Sequence, residues 1–212
     1  MPETTTSRES ILSRIRAANG AVNTGTPEAG YQAIERAYQQ TASMERAESL
    51  RTFVERLHEY DAQVFETTAD AIPATTAEVL ASRHQKSTVV ADDFPQQSLP
   101  PGFSWLYESS TTTGQLDTTE GAIARCEVAI AHTGTIILKS RRTITLLPDR
   151  LLCIVHENQV VETVPEALAR LEKSAIEPLT FISGPSATAD IEMTRIRGVH
   201  GPRFLDVVLV RS

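Results

Sequence analysis

Apolar positions recur every three to four residues in two stretches near the start of the chain, then give way to short β-branched runs. Ile11, Leu12, Ile15 and Ala18 share one helical face behind a Thr6-x-x-Glu9 capping box, and Asn19-Gly20 closes that helix. A Gly-, Thr- and Pro-containing stretch then reads as loop as far as Gly30. A second helix is predicted over residues 44–59, with Ala47, Leu50, Val54 and Leu57 as its apolar stripe. Each helix keeps a wet face, so each is expected to lie on the body of the domain or on a partner subunit.

Downstream the period alternates. Strands are predicted at 63–65, 88–91, 128–131, 136–138, 151–155, 180–183 and 205–210. Helices are predicted at 72–83, with Asp70 as its cap, and at 164–173. Ser109–Thr113 fits a loop or an irregular strand. Short apolar runs between amphipathic helices indicate an α/β layered domain with a mostly parallel sheet. The expected organisation is an N-terminal helical extension over residues 1–43 and one α/β domain over 44–212.

Composition narrows the function classes. The 212 residues are 41% hydrophobic and 22% charged, which suits a globular chain. The formal net charge of −7 argues against DNA or an anionic membrane as the main partner, because phosphate binding needs excess cations. No apolar run approaches the roughly 18 residues that span a bilayer. Met1-Pro2-Glu3-Thr4 starts no secretory signal, so a cytoplasmic protein is expected. The two cysteines, Cys126 and Cys153, cannot supply the four thiolates of an iron–sulfur cluster. The five histidines show no ligand spacing, so no metal site is expected. Neither Gly-x-Gly-x-x-Gly nor Gly-x-x-x-x-Gly-Lys occurs, so no nucleotide cofactor is expected.

Three loops carry candidate chemistry. In His132-Thr133-Gly134-Thr135, Gly134 permits close backbone approach and the two threonines can donate hydrogen bonds to a ligand. Spacing alone favours a tight hairpin whose threonines satisfy their own backbone. In Ser183-Gly184-Pro185-Ser186-Ala187-Thr188-Ala189-Asp190, a strand and a glycine turn lead into what reads as a short helix. The exposed N–H groups of that helix would suit an anion, while Ser186 and Thr188 equally suit capping. Arg195-x-Arg197-Gly198-Val199-His200-Gly201-Pro202-Arg203 is locally basic and could hold a carboxylate or phosphate, with His200 as acid or base. The same arginines could equally pair on the surface with Asp190, Glu192 and Asp206.

The segment Gly184–Glu192, followed by Gly198-Val199-His200-Gly201-Pro202, closely resembles the C-terminal signature of the LUD-domain family of lactate-utilisation C proteins. Val128–Thr135 resembles the central motif of the same family, which usually has Glu where this chain has His132. The likeness runs from about Met44 to the C-terminus. It implies a Rossmann-like three-layer α/β/α sandwich similar to the ribose-phosphate isomerase, sugar-phosphate deaminase and CoA-transferase group. It also implies a place in bacterial L-lactate oxidation to pyruvate beside two partner proteins, at least one carrying iron–sulfur clusters.

The combined expectation is a lactate-utilisation component that binds a small anion in a cleft at the carboxyl edge of the sheet. Thr133, Gly134, Thr135, Gly184, Ser186, Thr188 and Asp190 would hold it, with Arg203 as counter-charge and His200 as proton acceptor. The alternatives are a non-catalytic assembly or regulatory subunit docking its partners through the N-terminal helices, and an enzyme acting on a phosphorylated or CoA-linked acid.

Overall fold

A computed structural model describes residues 6–19, 26–139, 142–171, 178–189, 195–198 and 200–211. The chain forms two compact units, Met1–Tyr38 and Gln39–Ser212. The first holds α1 (Ser7–Asn19) and α2 (Pro27–Gln32). The capping box that starts α1 is formed: the Glu9 carboxylate accepts from the Thr6 N–H at 2.9 Å and from its hydroxyl at 2.8 Å. The second helix corrects the expectation of loop as far as Gly30. Thr26 caps it through a 3.2 Å bond from the Ala29 N–H, and Pro27 stands at its first position. At six residues it is too short to show a helical period.

The larger unit runs through α3 (Arg46–Glu59), β1 (Gln63–Thr68), α4 (Ile72–Ser82), β2 (Ser87–Val90), β3 (Ser104–Tyr107), α5 (Thr113–Asp117) and β4 (Gly121–Arg125). It continues with β5 (Val128–Ile130), β6 (Thr135–Leu138), β7 (Arg150–His156), β8 (Val160–Val161) and α6 (Val164–Leu171). It ends with β9 (Thr180–Ile182), β10 (Ala187–Ala189), β11 (Arg195–Arg197) and β12 (Phe204–Arg211). The last residues predicted for α6, Glu172 and Lys173, lie outside the described residues. Asp70 is not the α4 cap. It sits in a 3-10 turn and accepts the Thr68 hydroxyl at 2.6 Å, while Ala71 holds the cap position.

Six strands make one sheet in the order β1-β12-β7-β4-β2-β3, and every neighbouring pair is parallel. Both faces are buried, as a parallel sheet requires. Along β7, Leu151, Cys153 and Val155 face one cluster, while Leu152 and Ile154 face the other. The first face is covered by Leu50, Phe53 and Leu57 of α3; the second by Ile72, Val79 and Leu80 of α4. The α/β/α layering that the family resemblance implies is therefore present. A four-stranded mixed sheet, β8-β5-β6-β9, joins α3 on the first face. Its far side packs against Ala167 and Leu171 of α6.

Two glycine turns set how closely α3 approaches this second sheet. The β5–β6 turn places Gly134 at φ +58° against Arg56, where a Cβ would stand 2.7 Å from the Arg56 Cβ and 3.1 Å from its carbonyl carbon. The turn after β9 places Gly184 at φ +86°, where a Cβ would collide with the Tyr60 Cβ and lie 3.2 Å from the Tyr60 carbonyl oxygen. Arg56 and Tyr60 are one helical turn apart, so one helix holds both motif turns by backbone contact. Gly134 thus meets a helix where the sequence suggested a ligand.

This geometry predicts a graded loss of stability. Gly102 also has positive φ, at +88°, but has open space around it. Gly102→Ala should cost the left-handed strain alone, about 1–2 kcal/mol. Gly134→Ala adds a backbone clash and should lower Tm by at least a further ~4 °C, the shift that roughly 1–2 kcal/mol produces in a chain of this size. Equal melting temperatures for the two variants would contradict the helix contact.

Candidate functional site

The hairpin of β5 and β6 pairs Ile130 with Thr135. Its turn hydroxyls bond to each other and to the end of a neighbouring strand. Thr133 Oγ1 lies 2.7 Å from Thr135 Oγ1, which lies 2.7 Å from Ser183 Oγ. This chain of hydroxyls ties the central motif to the strand that leads into the C-terminal motif.

Among the described residues after Ser183 the backbone forms no helix. The Ser186 N–H donates to the Pro202 carbonyl at 2.8 Å, and the Gly198 N–H donates to the Ser186 carbonyl at 3.0 Å. With these groups committed across the loop, residues 187–189 become β10, paired antiparallel with β11. The expected helix N-terminus is therefore absent, and the Ser186 amide is not free to receive a carboxylate. Thr188 lies opposite Ile196 in this ribbon, and Asp190 and Glu192 lie outside the described residues.

The stitched loops enclose a cavity of about 280 Å³. Gly184, Ser186, His200 and Gly201 line it together with the hydroxyl-bearing Thr145, Thr180 and Ser183. Its floor includes Leu151 and Leu205, the second residues of β7 and β12. The cavity therefore opens at the amino edge of the parallel sheet, which corrects the expected carboxyl-edge position. The physical reason is that β9 belongs to the mixed sheet and runs antiparallel to β6. The rule that placed a ligand beyond the carboxyl end of a parallel strand did not apply to it.

Arg203 does not line this cavity. Its guanidinium forms a two-pronged ion pair with Asp149, at 2.5 Å from Nε and 2.8 Å from Nη2. Asp206 pairs in the same way with Arg83, at 2.8 and 3.2 Å. Among the described residues, His200 is the one titratable side chain in the cavity wall, and it is exposed. The polar side chains of the wall are hydroxyl groups and this imidazole. Sequence reasoning missed Thr145 and Thr180, because neither stands in a glycine loop. Among the described residues no His, Cys, Asp and Glu are grouped to hold a metal ion, and no helix is long and apolar enough to cross a membrane.

His132, beside the hairpin turn, faces Glu162 with Nε2 3.6 Å from Oε1. Glu162 is buried, and its carboxylate accepts the Ser43 and Met44 N–H groups at 2.6 and 2.7 Å. The Gln39 amide and Ser43 hydroxyl each add a 3.0 Å bond. The segment before α3 is thereby strapped to the edge of the second sheet.

The family model for the LUD domain matches residues 56–210. The chain belongs to the LUD-domain family. It is 38% identical over 181 residues to lactate utilization protein C of Deinococcus radiodurans, covering 82% of this chain and 84% of that one. Its similarity to lactate utilization protein C of Geobacillus thermodenitrificans is 36% over 137 residues, 58% and 56% of the two chains. A solved structure of a DUF162 family protein from Deinococcus radiodurans superposes with a TM-score of 0.69 at 34% identity, covering 79% of this chain and 99% of that one. The fold and family expected from the two LUD motifs are thus established.

The Glu162 strap has a pH signature. Burial alone would raise its carboxyl, but the amide bonds from Met44 and Ser43 outweigh burial and hold it below its ordinary value of 4.5. A carboxyl depressed by folding stabilises the protein above that value, and the contribution fades as pH falls below it. The Tm advantage of wild type over Glu162→Gln should therefore be large at pH 7 and shrink at pH 4. A constant difference across that range would contradict the strap.

Proposed function

We propose that this LUD-domain chain serves lactate utilisation, as the names of its relatives suggest, as a cytoplasmic component of L-lactate oxidation to pyruvate. The observation that carries the reading is that the C-terminal motif lines one small polar cavity, while Thr133, Gly134 and Thr135 stand behind its wall and are tied to it through the Ser183 hydroxyl. Its 280 Å³ suits a small acid far better than a nucleotide or a CoA ester. A 2-hydroxy or 2-oxo acid would place its carboxylate among the Ser183, Ser186 and Thr180 hydroxyls. Its 2-oxygen would lie near His200, the group best able to accept or return a proton. Electrons would leave through an iron–sulfur partner. The chain's own two cysteines, Cys126 and Cys153, are buried in the central sheet and too few for a four-thiolate cluster.

Within the first unit, Ile11 and Ile15 of α1 are 55% and 49% exposed. That exposure favours α1 as the segment that meets a partner, the docking reading weighed at the outset.

Calorimetric titration of L-lactate and pyruvate into the full chain tests the ligand. Wild type should bind at least one of the two acids, and His200→Ala should weaken it at least tenfold. Arg203→Ala, which loses a surface ion pair with Asp149, should leave the affinity within about twofold. Absence of heat with both acids, or a wild-type affinity in His200→Ala, would remove the assignment.

A further inference from the structure

The carboxyl edge of the parallel sheet carries a second cavity that neither family motif touches. The chain leaves β2 for β3 on one side of the sheet, whereas from β4 it continues to β7 on the other. The order reverses between β2 and β4, and parallel sheets open a crevice at such a switch point. A cavity of about 150 Å³ lies there. The loop after β2 lines it with Phe94 and Ser98, the end of β4 with Arg125, and the end of β7 with Ile154 and His156. Ile72, the first residue of α4, adds a further apolar wall.

Two cationic or donor groups converge on this space. Among the described residues Arg125 is engaged by Asp93 alone, with 3.5 Å between Nε and Oδ2, longer than a good charge-assisted hydrogen bond. Both side chains are nearly half exposed, so this pair holds the guanidinium weakly. Burial raises the Asp93 carboxyl above its ordinary value. His156 is oriented by a reciprocal cap: its side chain accepts the Gln159 N–H, while the Gln159 side-chain oxygen accepts the His156 N–H at 2.8 Å. An imidazole that accepts with one nitrogen carries its proton on the other, so His156 keeps an N–H to donate.

Size decides between ligand classes. A cavity of about 150 Å³ holds a molecule the size of benzene, roughly six heavy atoms. Nucleotides and CoA esters are excluded by volume. Inorganic anions would leave the apolar wall of Ile72, Phe94 and Ile154 without a partner. We propose that this cavity binds a short-chain monocarboxylate, its carboxylate between Arg125 and His156 and its aliphatic end against Phe94, Ile72 and Ile154.

The site is independent of the amino-edge cavity, and the experiment keeps the two apart. Propionate is titrated calorimetrically into the full-length His200→Ala protein, which lacks the imidazole of the other site. One molecule should bind per chain, and adding Arg125→Gln should weaken binding at least tenfold; sulfate should bind more weakly than propionate. His156→Gln should weaken propionate as well, with far-UV circular dichroism confirming that each variant is folded. No propionate binding to His200→Ala, an unchanged affinity after Arg125→Gln, or sulfate binding as tightly as propionate would each overturn the proposal. If the amino-edge reading fails, the His200→Ala background behaves as wild type and this result still stands.

Discussion

The contact on which the site depends is the approach of α3 to two backbone turns, at Gly134 and Gly184, separated by a single turn of the helix. No side chain larger than hydrogen fits between the helix and either turn, and both glycines occupy the left-handed region that other residues enter at a cost. Because Leu50, Phe53 and Leu57 of the same helix are buried against the parallel sheet, α3 transmits the position of that sheet to the mixed sheet beside it. The hydroxyl chain from Thr133 through Thr135 to Ser183 then carries the register into the C-terminal motif. What looks in the sequence like two glycine-rich ligand loops is, at its base, a packing device that holds one cavity in place.

The layering was legible because it rests on hydrophobic period. The run at β7 is continuous and apolar, as a strand buried on both faces must be, and that at β12 is broken only by Asp206. In α3 the expected Leu50 and Leu57 are buried, with Phe53 in place of the expected Ala47, which is exposed. β4 escaped notice because Gly121, Ala122 and Ala124 disfavour strands and leave Ile123 as its single strong strand former. Its glycine is demanded by tertiary crowding, since a Cβ would run into the Gln85 side chain and lie 3.2 Å from the Arg150 carbonyl oxygen. Nothing local announces that neighbour.

The candidate residues were recognisable while their arrangement was not. Gly184, Ser186 and His200 do meet around one cavity, and Thr135 supports it through Ser183. Two long-range facts changed the chemistry. β9 joins the mixed sheet, which moves the cavity to the amino edge of the parallel strands. Arg203 finds Asp149, 54 residues earlier in the chain, which removes the expected guanidinium from the wall. Pairings at that separation leave no periodic trace in a sequence, so a basic loop and a neutral hydroxyl-lined pocket look alike until the chain is folded.

Hydrogen–deuterium exchange on the full chain, with and without saturating L-lactate or pyruvate, reports directly on whether the assembled motifs form a ligand site. Slower exchange is predicted in residues 180–187 and 200–202, the two segments that wall the amino-edge cavity. A bound acid that leaves exchange in both segments unchanged would contradict the account.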